Sequence, residues 1–416
     1  MEESEPTKSS VHGTHSQGSR PGDRCHDRGG GCATFTAWRL FTTAQRAHGV
    51  AALRCGLALS LSLSWLASQQ ALLCAQDSSQ EEGVVISRSL RDHWQAVGPP
   101  VVSGLSYLER KQRNGAVGSQ FQVAVTSLAG LAALGAGYQP GEGPYGTFLL
   151  NCLNYLQSME QRGSGYITES GKAERRSRMH GHCYAVLFLT QVAGSLPREK
   201  EQAVWSLIER GVGVIEQAQS SRGGWYYGAA NRDDEDEASV TVGALQALRA
   251  ARNVGVHVDA FRVRQAIRYV KECQGNDGSF AYSLREPGRR TFALTAAAVS
   301  TLNAAGVYES LELRKGLVFL RKSLVRRPRY VSEPWLAAEP EYRFYSNLYA
   351  AQAFYQDKGD LWERWYPKIR DYLTSRQQST GPANGSWESN FGNEYATAMA
   401  LLILEVPLGY LPIFQR

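Results

Sequence analysis

The sequence predicts an all-α fold, an α-α toroid in which six helix pairs form an inner and an outer ring. An apolar stretch recurs along the chain, and its equivalent positions lie 59, 56, 54, 51 and 51 residues apart, at Thr126, Ala185, Thr241, Thr295, Ser346 and Thr397. A period of this length is typical of stacked helical repeats. An amphipathic segment with apolar residues three or four apart precedes each stretch, as at Leu149, Leu153, Leu156 and Met159. No region alternates with a period of two, so almost no sheet is expected.

The N-terminal part of the chain differs from the rest. We expect residues 1–49, of which 1–33 are rich in Gly, Ser, His and charge, to be disordered or to precede the true start of translation. Residues 50–75 contain an uncharged run after Arg54 and are typical of a signal peptide, with a transmembrane anchor as the alternative. This predicts a secreted, periplasmic or cell-envelope protein. Residues 76–98 are interpreted as a linker or N-terminal segment, and 99–416 as the toroid.

Composition and charge exclude some classes of protein. The chain has 416 residues, of which 43% are hydrophobic and 20% charged, so it can bury a large core. Its net charge of +6 is spread along the chain without a dense basic stripe, which argues against a nucleic-acid partner. After processing, the remaining cysteines would be Cys152, Cys183 and Cys273. A set this small, with an odd number of cysteines, indicates buried thiols, with one disulfide as the alternative.

The apolar stretches are predicted to form the inner ring. They span 121–137, 182–194, 239–255, 291–306, 342–356 and 395–404. The segments before them have a polar side and are predicted to form the outer ring. Neither terminal repeat has the polar face of a capping repeat, which favours a closed ring over an open solenoid.

A turn with its own signature joins an outer helix to the next inner helix. Gln219–Trp225 and Gln274–Phe280 both read Gln-x-x-x-Gly-x-aromatic, and looser copies begin at Gln112, Gln161 and Gln378. We expect the glutamine to bond the last carbonyls of its own helix and the glycine to adopt a left-handed cap. The aromatic ring would pack on the neighbouring repeat.

This turn resembles the QW motif of squalene cyclases. The helix-pair period is similar to the prenyltransferase and squalene-oxidase repeat of the terpenoid cyclase and protein prenyltransferase β-subunit superfamily. The resemblance covers roughly residues 100–416, although the fifth repeat lacks the turn and has 326–340 instead. Segments 179–182 and 395–416 also look like a group of secreted planctomycete-type proteins with this repeat. The resemblance implies a toroid that binds an apolar, isoprenoid ligand.

The acidic run Asp233–Glu237 comes directly before the third inner helix. It resembles the Asp-x-Asp-Asp motif of class II terpene cyclases, except that Glu replaces the last Asp. The resemblance implies that Asp236 is the catalytic acid, with Asp234 and Glu237 as neighbours that raise its pKa. Two alternatives remain open: the run caps the helix, or it binds calcium or magnesium.

Aromatic residues cluster where turns meet inner helices. As a substrate-binding set we expect His182, Trp225, Tyr227, Phe280, Tyr345 and Trp387. Aromatic faces stabilise carbocations, so in a cyclase these residues would line the cavity, whereas the alternative is that they form the core between repeats. His180, His182 and Cys183 do not match the zinc spacing of prenyltransferase β subunits. A structural histidine is favoured there, and no metal or cofactor is expected.

Two classes of function remain open on sequence alone, while a third, polysaccharide cleavage on a similar helical toroid, would need two carboxylates beside a groove, and the sequence identifies no such pair. One is a terpene cyclase-like isomerase that binds an apolar ligand and starts cyclisation with Asp236. The other is a non-catalytic exported scaffold that binds a protein, peptide or glycan partner. The apolar segment 406–414 would pack across the mouth of the ring or make a peripheral membrane contact. A dry aromatic cavity would favour the cyclase, and a filled ring would favour the scaffold.

Overall fold

The computed structural model of this chain describes residues 90–169, 178–325, 342–357 and 359–414. The chain divides into two units, and the described residues belong to the second, Ala75–Arg416. The predicted disordered segment and signal peptide lie outside the described residues. The predicted toroid start at 99 falls within a helix that is already present at residue 90.

In the described residues, twelve helices alternate between two layers. The outer layer consists of α1 (90–111), α3 (Gly146–Ser158), α5 (Arg198–Gln217), α7 (Ala260–Glu272), α9 (Leu311–Val325) and α11 (Asp360–Arg376). The inner layer consists of α2 (Gln122–Gly135), α4 (Arg178–Val192), α6 (Ala238–Asn253), α8 (Phe292–Ala304), α10 (Arg343–Asp357) and α12 (Asn393–Glu405). The sheet content of these residues is one antiparallel hairpin, β1 (Gln112–Arg113) with β2 (Ala116–Val117).

The inner helices form a closed ring. Each packs on the next in the order α2, α4, α6, α8, α10 and α12, and α12 packs back on α2. The predicted all-α toroid is therefore confirmed. Because one outer helix returns the chain between each pair of inner helices, the inner helices run parallel. Their first turns meet at one end of the ring, here called the mouth, and their last turns meet at the other end, the base.

Burial explains why the two layers differ in sequence. Every residue of α8 is buried, because an inner helix packs on neighbours, on the outer layer and on the ring axis. In α7, by contrast, the buried residues are Ala266, Tyr269 and Val270, which form one stripe of an otherwise polar helix. The three described cysteines are each buried and free of disulfides, as expected.

The axis of the ring is filled by side chains. The hydroxyl oxygens of Tyr184 on α4 and Tyr349 on α10 lie 3.4 Å apart, although these helices are opposite each other in the ring. Gln352 Oε1 accepts hydrogen bonds from Gln246 Nε2 and from Ser300 Oγ, each at 2.8 Å. These bonds link α6, α8 and α10 across the axis. Buried polar groups paired in this way tie the ring into one core.

The glutamine of each good turn bonds a different helix from the expected one. Gln219 Nε2 donates to the carbonyl of Gly223 and to that of Arg262 in α7, both at 2.9 Å. Gln274 makes the same pair of bonds, to the carbonyl of Gly278 and to one in α9. The glutamine therefore fastens its turn to the next outer helix instead of capping its own. The left-handed glycine, with φ +102° at Gly223, turns the chain back against that helix.

The last turn closes the ring, and it does so through Gln377 rather than the expected Gln378. Gln377 Nε2 donates to the carbonyl of Gly385 at 2.9 Å and to that of Pro100 in α1 at 2.8 Å. Since α1 is the first outer helix, this bond joins the last repeat to the first. The side chain of Gln378 instead meets Glu388 at the surface.

Adjacent glutamines allow a matched stability test of this closure. We expect Gln377→Leu to lower the free energy of unfolding by about 2 kcal/mol, because it removes two hydrogen bonds and leaves a backbone carbonyl unsatisfied. Gln378→Leu should change it by less than about 0.5 kcal/mol, as for other surface substitutions. Urea unfolding of the two variants measures the difference. Equal losses would contradict the assignment of Gln377.

The C-terminal segment 406–414, here called the strap, covers the base. Residues 406–408 contact α10 and α12, and residues 412–414 contact α6 on the other side of the ring. Val406, Leu408, Leu411 and Ile413 are buried. The segment packs across the ring as expected, but it covers the base and not the mouth, because the strap follows the last turn of α12. Among the described residues, no helix has the length and apolar character needed to span a membrane.

Candidate functional site

Asp236 lies in an ion pair on the outer side of the inner ring. Its carboxylate is 2.5 Å from Arg222 Nη2, and Tyr269 of α7 donates its hydroxyl to Oδ1 at 2.8 Å. This is the environment of a paired carboxylate, whereas a proton donor for an alkene must be kept protonated in a dry cavity. The expectation that Asp236 is the catalytic acid therefore does not fit its contacts.

Asp234 is also unsuited to donate a proton. Its side chain is 42% exposed. Hydrogen bonds from the hydroxyl and backbone N–H of Ser221 lower the pKa of Asp234. The described residues contain no group of three or more His, Cys, Asp or Glu side chains arranged to hold a metal ion, so the calcium or magnesium alternative gains no support.

Glu237 faces the opposite side from Asp236, toward the mouth. The chain is extended at Glu237, and consecutive side chains of an extended segment point to opposite sides. Glu237 is fully buried and caps α6, accepting hydrogen bonds from the backbone N–H groups of Ser239 and Val240. Burial raises the pKa of Glu237 to about 7. Of the three expected acids, it alone combines a cap position with an environment that favours the protonated form.

A short hydrogen-bonded chain leads from Glu237 to the partly exposed His180. Ser239 Oγ donates to the Glu237 carboxylate at 2.7 Å, and the same oxygen lies 3.0 Å from Nε2 of His180. His180 Nε2 is 3.8 Å from Glu237 Oε1. Burial lowers the pKa of His180 to about 4, so its imidazole is neutral at pH 7. His180 and Ser239 were not among the expected substrate-binding residues; their signal was their place at the start of an inner helix.

Three tyrosines complete this group. The hydroxyl oxygens of Tyr227 and Tyr282 lie 2.6 Å apart, and the rings of Tyr227 and His180 are 6.0 Å apart. Burial, and secondarily the nearby charge of Glu237, raises the pKa of Tyr227 and of Tyr282. The pKa of Tyr345 is raised by burial and by several neighbours that include Glu237. We call the following residues the mouth cluster: His180, Tyr227, Glu237, Ser239, Tyr282 and Tyr345.

The other expected substrate-binding residues lie in the core. His182, Trp225, Phe280 and Trp387 are at most 2% exposed. The indole N–H of Trp225 donates to the carbonyl of Ile215 at the end of α5, and Trp387 makes the matching bond to Leu373 of α11. These rings lie between the two helix layers because each turn places its aromatic side chain against the outer helix that precedes it in the chain. The interpretation as inter-repeat core describes them better than the cavity lining.

His182 accepts the hydrogen bond that a threonine accepts in other repeats. The backbone N–H of Trp225 donates to Thr241 Oγ1, and the same contact recurs at Phe280 with Thr295. In the second repeat the equivalent residue is Ala185, which has no hydroxyl, and Ile167 N instead donates to Nδ1 of His182 at 3.2 Å. Because Nδ1 accepts this bond, Nε2 carries the proton and donates to the carbonyl of Gly211 at 3.0 Å.

Two cavities among the described residues lie at the mouth and on the outer surface. A cavity of about 30 Å³, large enough for a water molecule, lies at the mouth between the first and last repeats, beside Gly118, Phe391 and Tyr395. A groove of about 310 Å³ lies on the outer surface, between Asp277 and the exposed face of α9. Small-molecule sites are usually concave pockets of roughly 300–1,000 Å³. The groove reaches that size, but it opens on the outer layer.

Comparison with known proteins supports the fold and no more. No family model matches the sequence, and no curated protein matches it. Among solved structures, the chain is similar to cellobiose 2-epimerase from Bacillus thermoamylovorans B4167, with a TM-score of 0.57 and 10% identity. The match covers 77% of this chain and 99% of that one. At this identity the likeness shows the α-α toroid alone, and the resemblance to the squalene-oxidase repeat has no family-model support.

Proposed function

We propose that this protein is an exported toroidal scaffold that binds a hydroxyl-rich ligand, an oligosaccharide, at its mouth. The observation that carries this proposal is the filled axis, where Tyr184 meets Tyr349 and Gln246 meets Gln352. A polyprene to be cyclised needs a dry cavity along that axis, and the hydrogen-bonded side chains fill the place. The ion pair of Asp236 with Arg222 also argues against a cyclase, because it leaves Asp236 unsuited to donate a proton.

The mouth cluster has the chemistry that a sugar requires. The ring of Tyr227 is partly exposed and offers a flat apolar face to the C–H side of a pyranose, whereas the guanidinium of Arg289 lies over the ring of Tyr282, 4.0 Å from its centre. Beside them, the neutral imidazole of His180 and the hydroxyl of Ser239 can exchange hydrogen bonds with sugar hydroxyl groups. The carboxyl of Glu237 is already engaged in capping α6, and the one nearby guanidinium, that of Arg289, lies over the ring of Tyr282. Pockets that combine aromatic faces with a few placed polar groups are typical of small-ligand sites.

Two further considerations support the oligosaccharide over the isoprenoid. The similar toroid is a cellobiose epimerase, so a ring of this type serves a disaccharide in that protein. We also infer from the signal-like segment 50–75 that the chain is exported, to a compartment where polysaccharides are accessible. N-terminal sequencing of the secreted protein tests the export, and an intact residue 1 on the mature chain would contradict it.

Titration calorimetry with a panel of oligosaccharides of two to six units tests the ligand class. We expect saturable binding to the full-length protein, weakened at least tenfold by Tyr227→Ala, which corresponds to about 1.4 kcal/mol. Tyr227→Phe should weaken binding less, because the ring remains. The control is Phe261→Ala, since that ring is 50% exposed on α7 near the base. No saturable binding by any sugar, or equal losses in Tyr227→Ala and the control, would overturn the oligosaccharide assignment.

A further inference from the structure

Glu405 is a buried carboxyl at the base of the ring, remote from the mouth cluster. It is the last residue of α12 and is 2% exposed. Neither of its oxygens has a hydrogen-bond partner in the described part of the chain. Buried polar atoms are paired in the great majority of native proteins, so a carboxyl with two unpaired oxygens needs an explanation.

The described neighbours of Glu405 leave space for its carboxyl but donate no hydrogen bond to it. A Cβ built on Gly135 of α2 would overlap Oε2 of Glu405 and would lie 3.3 Å from a methyl group of Leu411. The glycine therefore provides the room that the carboxyl occupies. Leu411 belongs to the strap, which packs over the same place and separates it from water. The carboxyl thus lies between an inner helix and the strap that covers the base.

No cation among the residues that the structure describes compensates a charge on Glu405. None of the ion pairs between described residues includes it. The titratable groups that face it are Tyr138, which follows α2, and Tyr366 of α11. Tyr366 donates its hydroxyl to the carbonyl of Leu404, which His93 of α1 also contacts. Burial raises the pKa of Tyr366 and lowers that of His93, and the nearby positive charge of Arg370 acts to lower both pKa values.

The strap is held by burial of its apolar side chains. Val406, Leu411 and Ile413 are at most 4% exposed, and Leu408 is 8% exposed. Tyr410, in contrast, is 60% exposed. A short segment that rests on a few side chains opens at lower free energy than the packed ring helices beneath it.

We propose that Glu405 is a proton-dependent latch for the strap. With the carboxyl protonated, the strap closes over the base. Loss of the proton leaves an unpaired charge in an apolar place, which is costly, and opening of the strap lets water reach it. Burial raises the pKa of Glu405 well above its ordinary value in the closed form. The device does not depend on what binds at the mouth.

The direction of the pH dependence follows from that shift. A carboxyl whose pKa is higher in the closed form than in the open form binds more protons when closed. Closing is therefore favoured at low pH and weakens as pH rises from the open-form pKa toward the closed-form pKa. Within this window, each pH unit lowers the closing equilibrium of the strap tenfold.

Hydrogen exchange on the full-length protein between pH 5 and pH 9 tests the latch. After correction for the pH dependence of chemical exchange, protection of backbone amides in 406–414 should fall with rising pH, by about tenfold per pH unit for as long as the carboxyl stays protonated in the closed form, while protection in α8 stays constant. In Glu405→Gln the protection should be independent of pH. Glu388→Gln, at an exposed carboxyl, should retain the wild-type slope.

Glu405→Leu supplies a second variant that keeps an apolar side chain under the strap, and it should hold the strap closed over the whole range. A pH-independent strap in the wild type would overturn the proposal. So would an unchanged slope in either Glu405 variant that folds. Should neither variant fold, the titration of the wild-type Glu405 carboxyl, followed by carbon NMR, decides: a midpoint near that of an ordinary glutamate overturns the latch, and a raised midpoint that coincides with loss of strap protection supports it.

Discussion

Gly223→Ala is expected to lower the free energy of unfolding by about 3 kcal/mol or more. The residue has φ +102°, where an alanine costs about 1–2 kcal/mol. In addition, the new Cβ would lie 2.5 Å from the carbonyl oxygen of Gln265 in α7, and backbone cannot move aside as a flexible side chain can. Overpacking of this kind typically costs about 1–3 kcal/mol. Displacing α7 would also weaken the bonds that Gln219 makes across the same turn.

A second glycine provides the matched control for this prediction. Gly213 lies within α5, has an ordinary φ, and a Cβ there would meet nothing within 4 Å. Gly213→Ala should therefore leave stability unchanged or raise it by about 0.5–1 kcal/mol, because alanine is the better helix former. Urea unfolding monitored by far-UV circular dichroism measures both variants. Similar stabilities for the two would contradict the close approach of the turn to α7.

Asp236→Asn is expected to lower the free energy of unfolding by about 3 kcal/mol. The carboxylate is fully buried, and removing one partner of a buried ion pair typically costs about 3–5 kcal/mol. Arg222 is 29% exposed, so water recovers part of that loss. The amide of an asparagine would also place an N–H group near the guanidinium, which accepts no hydrogen bond. Thermal and urea unfolding should show the loss, whereas Asp233→Asn, at an exposed carboxyl, should change stability by less than about 0.5 kcal/mol.

This prediction separates a structural role from a catalytic one. If Asp236 stabilises the fold, Arg222→Met should cost much less in the Asp236→Asn background than in the wild type, because the two residues act as a pair. A wild-type stability in Asp236→Asn would contradict the ion pair and would return Asp236 to the set of candidate acids. A loss of function in Asp236→Asn can therefore be interpreted only when the stability of the variant has also been measured.

The sequence was sufficient to place the inner helices because their signal is local. The stretch expected at 239–255 corresponds to α6, Ala238–Asn253, and the other stretches match their helices similarly. A continuous apolar composition at a fixed period follows from burial on every side. The choice between Gln377 and Gln378 had no such signal: the loop before Trp387 is longer than in other repeats, and composition does not distinguish adjacent glutamines.

The candidate site could be predicted only in part, because side-chain direction depends on tertiary context. Asp236 and Glu237 are neighbours in an extended segment, yet one pairs with Arg222 and the other faces the mouth. Trp225 and Tyr227 likewise differ in direction. Trp225, which belongs to the turn motif, lies in the core. His182 lies one helical turn before Ala185, and only the fold reveals that it supplies the acceptor that Ala185 lacks.

The most direct test of the filled axis is incubation of the full-length protein with squalene and shorter polyprenes, followed by mass spectrometry of retained lipids and products. We predict neither a retained polyprene nor a cyclised product, from the wild type or from Glu237→Gln. A cyclised product that the wild type forms and that Glu237→Gln or Asp236→Asn loses would contradict the account, because it would require an open axial cavity and a catalytic acid beside it.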